Sequence, residues 1–147
     1  EDNENPPLTG MQLGFQQFEE RILDATTQQQ LHVPSIIDIV GCDITIESMQ
    51  LAKQEMINQK INLTMDVNES QKLTAPSNGD IPMYLTSWVT PLNYFCLTGN
   101  LLIVRVLFLI GADCTKLSEY RYRFPLFAAA QQGHFDICQW LFKYGGD

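Results

Sequence analysis

Histidine and cysteine are the residues of this chain whose chemistry would first suggest a metal site or a nucleophile. The chain has two histidines and four cysteines: His32, His134, Cys42, Cys96, Cys114 and Cys138. Neither histidine lies near a cysteine at the spacing of a zinc site, and no two cysteines form a C-x-x-C pair. The sequence therefore predicts no metal site and no bound cofactor.

A Cys–His catalytic pair would require a reactive thiol at Cys96 or Cys138. Both cysteines fall at helix positions that we expect to be buried, where a thiol behaves as a small hydrophobic group. The sequence also contains no Gly-rich phosphate loop and no G-x-S-x-G nucleophile motif. We therefore expect no catalytic residues. An enzyme with its active site in residues 1–83 has little support, because that region offers no paired catalytic groups. The cysteine pattern favours a reducing intracellular compartment.

The charge of the chain is concentrated in its first half. Residues 1–83 hold 13 acidic and 4 basic residues, whereas residues 84–147 hold 4 acidic and 5 basic residues, within a total net charge of -8. Non-specific nucleic-acid binding requires clustered Lys and Arg, so we do not expect it. The longest apolar run, Leu101 to Ile110, is interrupted by Arg105 and is too short to span a bilayer.

The elements that must position any functional residue come from a unit that occurs twice in the second half, at an offset of 34 residues. Each copy has three signature segments. In the first copy they are Thr90-Pro91-Leu92, Gly99-Asn100 and Gly111-Ala112-Asp113, and in the second they are Phe124-Pro125-Leu126, Gly133-His134 and Gly145-Gly146-Asp147. A period of this length is typical of a repeat array.

Each copy is predicted to be a pair of helices. In the first copy Thr90 can cap a helix, Pro91 suits the first helical position, and Gly99 can end the helix in a left-handed conformation. Asn100 can then cap a second helix that is apolar nearly all round, which must be buried on more than one side. We therefore expect the copies to stack on each other.

These residues resemble the ankyrin repeat, whose usual pattern is Thr-Pro-Leu-His-x-Ala-Ala-x-x-Gly-His, a second helix, and Gly-Ala-Asp. The resemblance covers residues 90–147 and, through the preceding hairpin, 84–89. It implies a mainly α fold, an ankyrin-repeat solenoid of stacked helix pairs with hairpin loops. Asn93 and Phe127 stand where the pattern has histidine. Because those histidines belong to the hydrogen-bond network that ties consensus repeats together, we expect looser and bulkier packing in this chain.

Residues 11–83 are predicted to form an atypical helical cap on the stack. The acidic, proline-containing residues 1–10 predict a flexible tail. A three-four apolar spacing predicts an amphipathic helix over 12–30, which would cover the outer face of a degenerate repeat over 35–68. That repeat would consist of a short helical turn at 36–40, a helix over 46–60 and a strand at Asp66-Val67-Asn68. A separate helical module that leans on the repeats is the alternative.

An inserted loop is predicted near residues 69–83, because Thr74 to Asp80 is a concentrated turn signal. Long inserts project from one face of a repeat, which is often the binding face. A tolerated surface loop is an equally good interpretation.

The resemblance implies a non-catalytic module that binds a protein partner through hairpin tips and inner helices. The tip between the two copies contains Tyr120, Arg121 and Arg123, and Tyr and Arg are over-represented at interface hot spots. The alternative is that this tip packs on the next hairpin through Tyr122. The inner helices would add Leu97, Thr98, Gln131 and Gln132, and the preceding hairpin would add Trp88. Burial of Trp88 under the first helix is an alternative of equal weight.

The last predicted helix suggests a second class of function. Its apolar residues would leave hydrophobic surface open at the end of the stack: Ile137, Trp140, Leu141 and Phe142. We expect either further repeats after Asp147 or another subunit to cover this surface. The alternative to a free interaction module is therefore a structural subunit of a large multiprotein assembly.

Overall fold

The computed structural model describes residues 7–27, 36–73, 87–116 and 125–145. In these ranges the chain is mainly helical, which confirms the predicted fold class at that level. The helices are α1 (Gly10–Thr27), α2 (Ile36–Val40), α3 (Ile46–Asn58), α4 (Pro91–Thr98), α5 (Leu101–Leu109), α6 (Pro125–Gln131) and α7 (Phe135–Tyr144), and the strands are β1 (Gln71–Leu73) and β2 (Ser87–Val89). The predicted tail before residue 7, the fading of the first helix after Thr27 and the centre of the predicted inserted loop lie outside the described residues.

The first repeat copy folds as its capping residues predict. The hydroxyl of Thr90 accepts a hydrogen bond from the Asn93 amide at the start of α4, and Pro91 occupies the first helical turn. Gly99 ends α4 with a φ of 96°, a left-handed conformation that favours glycine. The side chain of Asn100 then caps α5 by accepting from the Ile103 amide at 3.1 Å. The sequence therefore encodes both ends of α4 and the start of α5 locally.

The two helix pairs stack side by side. Helix α4 packs against both α5 and α6, α6 packs against α7, and α5 packs against α7. The Phe108 ring meets the Trp140 ring edge to face at 5.3 Å, which joins α5 to α7. The best-buried side chains of α4 and α5 include Leu92, Phe95, Cys96, Ile103, Val104, Val106 and Leu107. The nearly all-apolar α5 is thus covered on more than one side, as its sequence requires.

The three N-terminal helices share this core. Helix α1 packs against α3, and α2 and α3 both pack against α5. Met11, Phe15 and Phe18 of α1 are buried, as are Met49 and Met56 of α3. Buried residues of α1 and α3 belong to the same hydrophobic cluster as those of α4–α7.

Backbone hydrogen bonds fix the start of α1 on the turn that follows α3. The Met11 amide donates to the Met65 carbonyl and the Gln12 amide donates to the Leu63 carbonyl, both at 3.0 Å. These bonds satisfy amides of the first helical turn that have no partner inside the helix. The turn at 63–65 therefore sets where α1 lies on α3.

The predicted strand at Asp66-Val67-Asn68 is wrong, because these residues form a turn. The Asp66 carboxylate accepts a hydrogen bond from the Asn68 amide at 2.8 Å. A bond from a side chain to the backbone two residues later favours a turn over the extended backbone of a paired strand. The strand begins instead at Gln71, inside the predicted loop, and β1 pairs with β2 in antiparallel register, with Lys72 opposite Trp88. The Gln71 side chain holds β1 in place by bonding to both the amide and the carbonyl of Asn62.

A second turn of the same kind follows α5, and the two turns are bonded to each other. The Asp113 carboxylate accepts from the amide and the hydroxyl of Thr115, and these bonds lower the pKa of Asp113. The Asn68 side chain donates to the Gly111 carbonyl at 3.1 Å and accepts from the Asp113 amide at 2.7 Å. Asn68 therefore links the turn before the β1–β2 hairpin to the turn that ends the first repeat copy.

Arg105 has a structural role that explains why a cation interrupts the apolar sequence of α5. Its guanidinium donates to the Val40 carbonyl at the end of α2, at 3.1 Å, and forms an ion pair with the Asp43 carboxylate. The Arg105 side chain is mostly covered, whereas the Asp43 side chain is largely exposed. Arg105 therefore attaches the end of α2 to α5 while its aliphatic stem lies along the core.

We expect the Asp43→Asn variant to lose about 0.5 kcal/mol of stability at pH 7, because the ion pair has one exposed partner and is screened by solvent. The hydrogen bond from Arg105 lowers the pKa of Asp43 below its ordinary value of 3.8. A lowered folded-state pKa stabilises the fold above the unfolded-state pKa, and this contribution disappears as the pH falls through the folded-state pKa. Urea unfolding should show a larger difference between the wild type and the variant at pH 7 than at pH 3, and an equal difference at both would contradict this role.

Candidate functional site

Trp88 lies on β2 and is half exposed, with 52% of its surface open to solvent. Burial of Trp88 under the first helix of the repeat is therefore wrong. Its strand partner, Lys72 on β1, is also exposed. The backbone pairing thus fixes the position of a large aromatic side chain two residues before the Thr90 cap, at the start of α4.

The other candidate residues of the inner helices lie at helix ends. Leu97 and Thr98 are half-buried at the end of α4, Gln131 is exposed at the end of α6, and Gln132 follows it half-buried. The imidazole Nε2 of His134 lies 3.0 Å from the Leu97 carbonyl oxygen. This contact places the ends of α4 and α6 next to each other, so that the four side chains belong to one edge of the stack.

We call Trp88, Leu97, Thr98, Gln131 and Gln132 the inner strip. Trp88 and Thr98 lie near opposite ends of α4, a helix of eight residues that is about 12 Å long at 1.5 Å per residue. None of the five side chains carries a formal charge, and they offer one aromatic ring, one aliphatic group, one hydroxyl and two amides. Such a surface suits an uncharged polypeptide segment that provides apolar side chains and hydrogen-bonding groups.

The predicted hairpin tip with Tyr120, Arg121 and Arg123 lies outside the described residues. Both neighbours of this segment are described. The Lys116 carbonyl accepts from the Asn93 side chain at 3.2 Å, and Pro125 is buried at the start of α6. The chain on each side of the tip is therefore attached to the stack.

Asn93 replaces the motif histidine in a way that sequence reasoning missed. Its side chain is buried, and its Nδ2 donates to the Thr90 hydroxyl at 3.1 Å and to the Lys116 carbonyl. Asparagine therefore keeps a hydrogen-bonding role at this position, because it also offers a short side chain with an N–H donor, and both of these bonds lie within the first copy. Its Oδ1 is buried without a hydrogen-bond partner among the described residues.

The second substituted position differs from the first. Phe127, which stands where the second copy would have the motif histidine, has a ring that is half exposed. In addition, His134 takes the place of a helix cap at the start of α7 without a capping hydrogen bond from its side chain. Its ring is used instead for the contact with the Leu97 carbonyl described above.

The cysteines are mostly unsuited to nucleophilic chemistry. Cys96 is fully buried, and burial raises the pKa of its thiol well above the ordinary value. Burial, with the Asp113 carboxylate, raises the pKa of Cys114 to about 11. The predicted burial of Cys138 is wrong, because this thiol is only half-buried. Val104, the corresponding residue 34 positions earlier, is fully buried because the second helix pair covers the first. Among the described residues no further pair covers α7 at Cys138 in the same way.

Within the described ranges, no three His, Cys, Asp or Glu side chains are grouped so that they could hold a metal ion. No helix in those ranges combines the length and the apolar character that crossing a membrane requires.

We expect iodoacetamide to react with Cys114 about a hundredfold more slowly than with a thiol of ordinary pKa, because a pKa raised from 9 to about 11 leaves about a hundredth of the thiolate. Cys42, which is exposed, should be alkylated first, and Cys96 should react only as the protein unfolds. Peptide mass spectrometry after timed labelling at pH 8 measures the order. Labelling of Cys114 as fast as Cys42 would contradict the burial of this thiol.

No protein-family model matches the chain. No curated protein matches it either.

Proposed function

We propose that the chain is an ankyrin-type interaction module without chemistry of its own, which binds a protein partner through the inner strip and the predicted hairpin tip with Tyr120, Arg121 and Arg123. The partner segment is uncharged or weakly charged polypeptide. No nucleic acid takes part in this proposal, and neither a metal nor a cofactor is needed.

The stack of helix pairs supports the ankyrin-type interpretation. The 34-residue spacing in the sequence coincides with two successive helix pairs in contact, α4–α5 and α6–α7. Thr90 and Asn93 form a buried hydrogen-bonded pair that reaches the chain between the pairs through the Lys116 carbonyl. Asp66 and Asp113 close equivalent turns, which the Asn68 side chain joins.

The observation that carries the binding proposal is the exposure of Trp88 within the inner strip. Trp88 is half exposed, its position is fixed by strand pairing, and Trp is enriched at interface hot spots. The ring stands near the start of α4, and the Thr98 hydroxyl and the Gln131 amide stand near its end. A bound segment would therefore have an apolar contact and polar contacts about 12 Å apart along α4.

Affinity capture with matched baits tests this function. The variants are Trp88→Ala in the inner strip, Tyr120→Ala/Arg121→Ala/Arg123→Ala at the tip, and Leu51→Ala as the control. Leu51 is an exposed apolar residue on α3 that lies outside the strip. All baits must first show the same thermal melting. We expect a partner retained by the wild type and by the Leu51→Ala control to be lost by at least one of the other two. If every bait retains the same proteins, neither the inner strip nor the tip is the binding surface.

A structural subunit of a large assembly remains the second candidate function, and one observation favours it. Phe135 and Phe142 of α7 expose 79% and 84% of their surface. Under this alternative the isolated chain would aggregate, because a surface that is normally covered by neighbouring subunits would be open. A monodisperse protein in light scattering would favour the interaction module.

A further inference from the structure

The outer face of the last described helix pair, which we call the end face, is an apolar surface that the inner strip does not use. Phe135, Cys138 and Phe142 recur along α7 at intervals of three and four residues, so they share one side of the helix. On α6, Leu126 and Ala130 are exposed at an interval of four residues. The two rings on α7 are the most exposed large apolar side chains among the described residues.

The internal repeat shows that this is the type of surface that the fold covers elsewhere. Phe142 corresponds to Phe108 at the 34-residue offset, and Phe108 packs edge to face on Trp140 of the next helix pair. Leu126 corresponds to Leu92, which is 1% exposed where the second pair lies on α4, whereas Leu126 is 41% exposed. The end face therefore has the residue pattern of an interface that occurs once already within the chain.

Two charges flank the apolar residues of α7 in a self-complementary arrangement. Asp136 lies in the first turn of α7 and Lys143 in the last turn, seven residues apart and hence on the same flank of the helix. Both residues are exposed. The Asp136 carboxylate accepts from the Ile137 amide at 2.7 Å, and the Lys143 ammonium lies 5.1 Å from the centre of the Tyr144 ring. When two copies of α7 lie antiparallel, each acidic end meets a basic end.

We propose that the end face is a homodimer interface, in which α7 packs antiparallel against α7 of a second copy of this chain around a two-fold axis near Cys138 and Gln139. In that arrangement Phe135 of each copy contacts Phe142 of the other, and Asp136 faces Lys143 of the other copy. An isologous contact of this kind requires the same patch to be complementary to itself, and the order Phe, Asp, Phe, Lys along α7 has that property. This interface goes beyond the proposed partner binding, because it leaves the inner strip open.

The dimer should be weak and sensitive to salt. One helix with two aromatic contacts per copy provides a small interface, so we expect a dissociation constant of the order of 10 µM. The Phe142→Asp variant should weaken the dimer at least about 30-fold, because it removes a central aromatic residue and places a charge there. Phe142 is highly exposed, so the substitution should leave the fold intact.

Charge reversal provides the sharper test. Asp136→Lys alone, or Lys143→Asp alone, places like charges opposite each other twice per dimer and should weaken it about 10-fold. The double variant Asp136→Lys/Lys143→Asp restores opposite charges and should return to within about threefold of the wild type. Helix stability follows a different order, because each reversal opposes the dipole of α7 and the double variant opposes it twice. The double variant should therefore be the least stable fold and yet recover dimerisation. A change in helix stability alone cannot produce that combination.

Sedimentation equilibrium of the 147-residue protein measures the dissociation constants of the wild type and the variants. Concentrations between about 1 and 200 µM bracket the expected constant. Thermal melting of each variant is the control. A wild-type dimer that is weakened about 10-fold in each single reversal and recovered in the double reversal supports the proposal. A wild type that stays monomeric throughout this range overturns it. A dimer whose dissociation constant does not change with the charge reversals also overturns the proposal. Polydisperse aggregation overturns it as well, because the end face would then bind something other than α7 of a second copy.

Discussion

The Asn93→Asp variant should lose about 3 to 5 kcal/mol of stability at pH 7, which is a large fraction of the stability of a small domain. The Asn93 side chain is buried and donates through Nδ2 to the Thr90 hydroxyl and the Lys116 carbonyl. An ionised carboxylate cannot donate to the carbonyl oxygen and would face it at hydrogen-bonding distance. The Asn93→Ala variant, which leaves the Lys116 carbonyl without this donor but adds no charge, should lose only about 2 kcal/mol.

The pH dependence distinguishes the charge from the lost hydrogen bonds. Burial raises the folded-state pKa of the introduced carboxyl group above its unfolded value, so the stability of the variant is highest below the unfolded pKa and falls as the pH rises through the folded pKa. Urea unfolding followed by circular dichroism at pH 4 and pH 7 should therefore show a smaller defect at pH 4. If Asn93→Asp is no less stable than Asn93→Ala at pH 7, the buried side chain of Asn93 does not hold the start of α4 to the segment that follows α5.

The Gly99→Ala variant should lose about 2 to 4 kcal/mol, because two effects add at this residue. Gly99 has a φ of 96°, and an added Cβ would lie 2.5 Å from Cε1 of the His134 ring. The left-handed conformation alone costs an alanine about 1 kcal/mol. The remainder is the displacement of the His134 ring and the loss of its contact with the Leu97 carbonyl.

Gly133 provides the matched control for this prediction. Its φ is 77°, and an added Cβ meets no atom within 4 Å, so Gly133→Ala should lose only about 1 kcal/mol. In a His134→Ala background, Gly99→Ala should likewise cost only about 1 kcal/mol, which gives a coupling energy of about 1 to 3 kcal/mol between the two residues. Thermal or urea unfolding of the four proteins measures it. Additive effects of Gly99→Ala and His134→Ala would show that the ring does not fill the space above Gly99.

The elements with local signals were predictable from the sequence. Thr90, Gly99 and Asn100 each act through backbone groups within a few residues, and the structure uses all three as caps. Lys60 shows the limit of such signals. Helix α3 ends at Asn58, and Lys60 just beyond it has a φ of 68°. The Ile61 amide then donates to the Met56 carbonyl. After α5 the Ala112 amide donates to the Leu107 carbonyl in the same way. Because Lys60 occupies the left-handed position that Gly111 occupies after α5, no glycine marks this helix end.

Contacts between distant segments were not predictable in the same way. The strand at Gln71–Leu73 depends on bonds from the Gln71 side chain to Asn62 and on pairing with β2, and neither has a local signature. Exposure of Trp88 likewise depends on which face of the β1–β2 hairpin meets the core. The candidate site residues of the inner helices come from the sequence pattern and stay a prediction, whereas the role of Asn93 required the position of the Lys116 carbonyl.

Site-specific photocrosslinking tests the proposed function most directly. A benzophenone amino acid is placed in turn at Trp88, Thr98 and Gln131 in the inner strip, and at the exposed residues Leu51 on α3 and Glu20 on α1 as controls. The proposed function predicts that one and the same protein is crosslinked from all three strip positions and from neither control. Crosslinking of that protein equally well from Leu51 or Glu20, or of no common protein from the three strip positions, would contradict the inner strip as the binding surface.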